Sequence, residues 1–169
     1  KRPFEFKEFL RQCYQIGYRS LLLVAVTGFI IGLVFTLQSR PTLLKFGAVS
    51  WMPSMVSISI IREIGPIITA LICAGKIGSG IGAEIGSMRV TEQIDAMEVS
   101  GTNPFKYLVV TRIAATTLMI PILVFFGDTI AIFGSALVEN IKGNVSFLLY
   151  FNQVFSRLEL ADLIPTTFK

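Results

Sequence analysis

The sequence has no histidine among its 169 residues, only two cysteines and a single tryptophan. The absence of histidine removes imidazole acid–base catalysis and His-ligated metal or haem sites. Cys13 and Cys73 lie far apart in apolar surroundings, which fits neither a disulfide framework nor a zinc site. Charge is also scarce: Asp, Glu, Lys and Arg make up 15% of the chain, against about 25% in a soluble domain. Too few charges are present to cover a water-soluble globule. Apolar residues amount to 53%, and mean hydropathy is +0.69. They come in long runs, the pattern of an integral membrane protein.

The expected fold is therefore all-α and polytopic. Residues 1–19 lack the continuous apolar core and small-residue cleavage site of a signal peptide. Phe6, Phe9, Leu10, Cys13 and Gly17 share one helical face, with Lys7, Glu8, Arg11, Gln12, Gln15 and Arg19 mostly on the other. This suits an amphipathic helix in the membrane interface, or an amphipathic helix packed on a soluble core. Residues 20–39 carry no charge and have the length of a spanning helix. Within them Gly28 and Gly32 have the small-xxx-small spacing that permits close helix approach. Residues 40–54 hold Pro41, Gly47 and Pro53 and read as a periplasmic loop or shallow re-entrant segment. A second span is expected over 55–76, a small-residue and cytoplasmic segment over 77–106, and a third span over 107–138. Residues 139–169 complete the chain as a periplasmic segment and the start of a further span.

Lys and Arg placement sets the orientation. With the N-terminus in the cytoplasm, inside segments carry nine basic residues (Lys1, Arg2, Lys7, Arg11, Arg19, Lys76, Arg89, Lys106 and Arg112). Outside segments carry four: Arg40, Lys45, Lys142 and Arg157.

Arg62 and Glu63 interrupt the second span. Each costs about 2.5–3.5 kcal/mol at mid-helix, or about 5–7 kcal/mol together. The seven isoleucines at 58, 60, 61, 64, 67, 68 and 72, with Val56 and Leu71, return only about 3–5 kcal/mol on the same scale. Adjacent side chains on a helix diverge by about 100°, so the two charges do not simply cancel. Pro66 also deprives the carbonyl of Arg62 of its helical donor. Such groups are tolerated where they face protein or line a cavity. The choice is between a cavity role and a structural ion pair.

Residues 74–87 do not form a nucleotide loop, because Lys76 is followed by Ile77 rather than Ser or Thr. Helical spacing instead aligns Ala74, Gly78, Gly82 and Gly86 on one ridge and Ile77, Ile81 and Ile85 on another. Gly78, Gly82 and Gly86 would then give a flat face for helix packing; a flexible glycine loop is the alternative. Val90, Ile94 and Met97 recur at helical spacing beyond it, with Glu92, Asp95 and Glu98 off that stripe. Gly101 stops this helix, and Asn103-Pro104 starts the next as N-cap and first helical residue. A short amphipathic helix on the cytoplasmic side is either a docking element for a soluble partner or a solvated loop helix.

The runs Arg62-Glu63-Ile64-Gly65-Pro66, Ala74-Gly75-Lys76-Ile77-Gly78, Ala83-Glu84-Ile85-Gly86-Ser87-Met88-Arg89, Thr91-Glu92-Gln93-Ile94-Asp95 and Gly101-Thr102-Asn103-Pro104, followed by Tyr107 and Arg112, closely resemble the MlaE-type (YrbE-type) permeases. These are membrane subunits of ABC transporters that work with MCE proteins on lipids. The resemblance is dense over residues 56–125 and looser at both ends. Members carry roughly five spans, so these 169 residues resemble a fragment with at least three of them. Thr111 stands where members usually have Pro before Arg112, a change that relaxes a kink.

The resemblance implies a permease homodimer in the inner membrane, a periplasmic MCE protein, phospholipid cargo and two cytoplasmic ATPase subunits. A small cytoplasmic accessory protein is a further implied partner; nucleic acid is not. It places Arg62 and Glu63 near a lipid pocket, with Phe35, Leu43, Phe46 and Lys169 as further lining residues. Residues 87–99 become the coupling helix, with Val90, Glu92, Ile94, Asp95, Met97 and Glu98 facing the ATPase. This chain would be no enzyme and hold no cofactor, since ATP and Mg would be bound by the ATPase. The competing class is a secondary transporter or channel that relays ions through Arg62, Glu63 and Asp128.

Overall fold

The computed structural model describes residues 6–156, and among these every regular element is helical. Helix α1 spans Phe6–Lys45. A 3₁₀ turn at Val49–Trp51 leads into α2, Met52–Ser59. A π-helical turn, Ile60–Ile64, joins α2 to α3, Gly65–Val90. The short α4, Gln93–Val99, is followed by a second π-helical turn at Phe105–Val110 and by α5, Thr111–Gly143. Helix α6 is Phe147–Phe155. Three continuous helical stretches, Phe6–Lys45, Val49–Val90 and Phe105–Gly143, are long and apolar enough to cross a membrane.

Helices α1 and α5 run parallel, and several facing pairs are 99 positions apart. Tyr107 Oη donates to Glu8 Oε2 at one end (3.2 Å), Thr36 Oγ1 donates to Ser135 Oγ (2.8 Å), and Arg40 Nη1 donates to Glu139 Oε1 (2.6 Å). Between these contacts the backbones nearly touch. A Cβ on Gly28 would lie 2.8 Å from the Gly127 carbonyl oxygen, and one on Gly32 would lie 1.9 Å from that of Ala131. The small-xxx-small pair therefore sets the spacing of the two helices. Val24, Cys73 and Leu123 form a buried cluster that draws α3 against both, and Met52, Val56, Ile60 and Ala131 do the same for α2 and its π turn.

Two helices extend beyond the bounds expected from sequence, at residues 40 and 138. Helix α1 shows no break between the interfacial face and the span. It also continues past Pro41 to Lys45, so residues 40–45 are helical rather than loop. Arg40 helps to hold that end, since its guanidinium is locked to the buried Glu139. Helix α3 crosses position 76 without interruption and carries the glycine run to Val90. Helix α5 passes through Pro121 and ends at Gly143, five residues beyond the expected close of the third span at 138. Asn144 supplies the left-handed turn there, with φ of 50°.

Candidate substrate cavity and coupling surface

The second span does not continue as a regular α-helix through its charges. Pro66 has no N–H to give, and the helix adapts by widening: the Gly65 N–H donates to the carbonyl of Ile60, five residues back. Single π-helical turns of this kind recur at functional sites. The wide turn carries Arg62 and Glu63, both exposed, at the head of a cavity of about 410 Å³. Pro66, Ile67, Ala70, Leu71 and Ala74 line the rest. A polar pair thus caps an apolar trough along one side of α3. The predicted loss of a backbone donor at Pro66 is accommodated by the π turn.

The other residues assigned to a pocket lie elsewhere. Phe35 and Leu43 pack on the cluster formed by Met52, Val56, Ile60 and Ala131. Phe46 is 79% exposed beyond the end of α1. None of the three lines the cavity beside Arg62 and Glu63, and Lys169 lies outside the described residues.

The glycine run is helical, and it has two unlike faces. Ile77 packs against Cys13, Ile16 and Ala115 on one side and against Val24, Cys73 and Leu123 on the other. On the small-residue side, a Cβ placed on Gly75, Gly78, Gly82 or Gly86 would meet nothing within 4 Å. The flat face is uncovered among the described residues.

Beyond the run, Glu92 adopts a left-handed backbone, with φ of 56°, and turns the chain into α4. Arg89 Nη1 is 2.6 Å from Asp95 Oδ1 across this corner. Ile94 and Met97 are half-buried, and Met97 lines a broad cleft with Arg11, Met88, Gln93, Ala96 and Tyr107. Val90 and Val99 are 85% and 91% exposed, on the outside of the same corner. Helix α4 ends at Val99, and Gly101, with φ of 78°, turns the chain beyond it. The Asn103 side chain then accepts from the N–H groups of Phe105 and Lys106 at 3.1 and 3.3 Å, which is the cap expected from Asn103-Pro104.

Two polar features were not assigned from sequence, and a third, Asp128, was named there only as an ion relay. Arg112 is buried and pairs with Glu84 at 2.8 Å, fixing α5 to the glycine-bearing part of α3. A second cavity, of about 400 Å³, opens between α1 and α3, where Arg19 and Lys76 meet Gln12, Gln15, Ser20 and Glu84. Lys76 Nζ donates there to the carbonyl of Arg19. Asp128 is buried against Gly65. The isolated charges at 84, 112 and 128 were visible in the sequence; their neighbours were not, because each pairing joins different helices.

Comparison with known proteins gives one consistent result. The Permease MlaE family matches residues 9–169. A probable ABC transporter permease protein of Rickettsia typhi is 41% identical over 164 residues, covering 97% of this chain and 63% of that protein. A probable ABC transporter permease of Synechocystis is 34% identical, covering 95% of this chain and 61% of that protein. Another from Porphyra purpurea is 37% identical, covering 89% and 57%. The chain thus spans less than two thirds of the length of these relatives.

Proposed function

On the premise that this chain belongs to the MlaE permease family, we propose that it is the membrane subunit of an ABC transporter that moves phospholipid between membranes with an MCE-protein partner. The observation that carries the reading is the cavity headed by Arg62 and Glu63 over an apolar trough. An amphipathic cargo needs such a lining. A guanidinium offers a planar fork of donors suited to a phosphate, and the trough suits acyl chains. Glu63 tempers the positive charge or meets a cationic head group.

The exposed flat face of α3 supports a second copy of the permease, or further spans, laid against Gly78, Gly82 and Gly86. The corner formed by Val90, α4 and Val99 supports docking of a cytoplasmic ATPase, on which ATP hydrolysis takes place. The nine-to-four distribution of basic residues supports an inner-membrane protein with its N-terminus in the cytoplasm.

The test uses the full-length permease with its co-expressed partners. A photo-crosslinking residue at position 63 should capture phospholipid, identified by mass spectrometry. Glu63→Ala should reduce lipid transport several-fold while the protein still inserts, and Glu63→Gln should reduce it less. Crosslinks to protein alone, together with normal transport by Glu63→Ala, would overturn the lipid reading.

A further inference from the structure

Asp128 lies in the middle of α5, 7% exposed, and its Oδ1 has no hydrogen-bond partner. It faces the kinked part of the second span. A Cβ built on Gly65 would fall 1.6 Å from Asp128 Oδ1 and 2.9 Å from the carbonyl oxygen of Ile60. Two oxygen acceptors therefore flank the same point above Gly65, and the missing side chain of Gly65 is what admits the carboxyl. The Ile60 carbonyl already accepts from the Gly65 N–H, and a carbonyl oxygen has a second lone pair to offer.

The space beside them is a cavity of about 10 Å³, lined by Thr27, Gly28, Gly65, Thr69, Gly127 and Asp128 among apolar residues. No Lys or Arg is among its lining residues. Helix α1 has no charge from Ser20 to Ser39, and α5 has none but Asp128 between Arg112 and Glu139. Arg62 and Glu63 line a different cavity, and Lys76 donates to the carbonyl of Arg19. The Thr27 hydroxyl is committed to the carbonyls of Leu23 and Val24. An ionised carboxylate here would face a carbonyl oxygen in a low-dielectric site with no counter-charge, which is strongly unfavourable. A water needs about 10–15 Å³ and two to four polar partners, so the space is at best marginal for one. It is smaller still for a metal ion and its shell of oxygen ligands.

We propose that Asp128 binds a proton, and that the protonated carboxyl latches the π-helical turn to α5 by donating to the Ile60 carbonyl. The proton converts a contact between two acceptors into one between donor and acceptor. Ile60 opens the turn that carries Arg62 and Glu63 two and three positions later. The latch therefore fixes the geometry of the cavity they head. Opening of the kink to water allows the proton to leave, after which the ionised carboxylate repels the carbonyl and holds the kink open. This inference does not depend on which cargo the cavity accepts.

The test reads protonation directly. Full-length protein in lipid nanodiscs is labelled with ¹³C at aspartate carboxyls, and its infrared and solid-state NMR spectra are recorded at neutral pH. One aspartate should show a protonated carboxyl. That signal should vanish in Asp128→Asn, and in Asp128→Glu, which retains an acid but removes the label. Spin labels at Leu71 and Ile122, both exposed, should report an α3–α5 distance that broadens at alkaline pH in the wild type. The same distance should stay fixed in Asp128→Asn. A fully ionised set of aspartates at neutral pH would overturn the proposal, as would the same pH response in Asp128→Asn. If the variants fail to fold, the wild-type spectrum alone decides whether a protonated aspartate exists.

Discussion

Among the described glycines, an added methyl group would fall closest to a neighbouring atom on Gly65 and Gly32. On Gly65 it would overlap the Asp128 carboxyl, and on Gly32 the backbone oxygen of Ala131. Backbone cannot move aside as a flexible side chain can. Gly32→Ala should therefore destabilise the protein by about 1–3 kcal/mol, the usual range for overpacking, read as a lower thermal midpoint in detergent. Gly82→Ala is the matched control. It meets no neighbour among the described residues, and replacing glycine inside a helix stabilises by roughly 0.5–1 kcal/mol. Its midpoint should stay level or rise. Gly82→Leu should leave the chain folded but weaken assembly, seen as loss of the larger species in native mass spectrometry. The two glycine groups look alike in sequence. Spacing alone announces a small face; it does not say whether the chain itself or another molecule covers it.

Two elements depend on contacts that join distant parts of the chain. The first is the glycine-bearing half of α3, which Glu84 ties to Arg112 on α5. Arg112 is buried, whereas Glu84 is partly open. Removing the acid leaves a buried cation without compensation. Glu84→Ala should cost toward the lower end of about 3–5 kcal/mol, and Glu84→Gln less, because the amide oxygen can still accept. The second element is the corner at α4. The glycine stop and the Asn-Pro start are local signals and stand where expected, but the expected helix over 87–99 is split: Val90 closes α3, Glu92 turns the chain, and α4 begins at Gln93. Periodicity was less informative about direction. Met97 turns toward its own chain, while Val90 and Val99 face outward. Val90→Asp and Val99→Asp should release the ATPase from a co-purified complex without lowering permease stability. Met97→Asp should lower both. Retention of the ATPase by both valine variants at wild-type strength would move the docking surface elsewhere. The stretch expected to be loop from residue 40 is helical as far as Lys45 for a related reason. Proline and interfacial charge are weak breakers where a neighbouring helix secures the backbone, as Glu139 does for Arg40.

At the scale of the whole molecule, the parallel register of α1 and α5 constrains how the chain sits in a membrane. Glu8 lies beside Tyr107, and Arg40 beside Glu139. The starts of both helices are thus at one end of the bundle and their finishes at the other. The intervening stretch, Val49–Val90, must return through the bundle in the opposite sense. At about 1.5 Å per residue, the paired region from Glu8 to Arg40 is roughly 48 Å long. That is enough to cross the hydrocarbon core of about 30 Å and emerge on both sides. The sequence could count the three spans of the described residues, and its basic residues carry the proposed orientation. It could not reveal that the first and third spans lie side by side, because the 99-residue offset leaves no periodic trace. Cysteine substitutions give a direct test in a background where Cys13 and Cys73, both buried, are replaced by alanine. In spheroplasts, an impermeant thiol reagent should label Phe46→Cys and spare Val99→Cys. In inverted vesicles the pattern should reverse, with Phe6→Cys labelled alongside Val99→Cys. Labelling of Phe6→Cys and Val99→Cys from opposite sides would contradict the parallel pairing of α1 and α5. Labelling of both from outside would keep the pairing but reverse the orientation inferred from the basic residues.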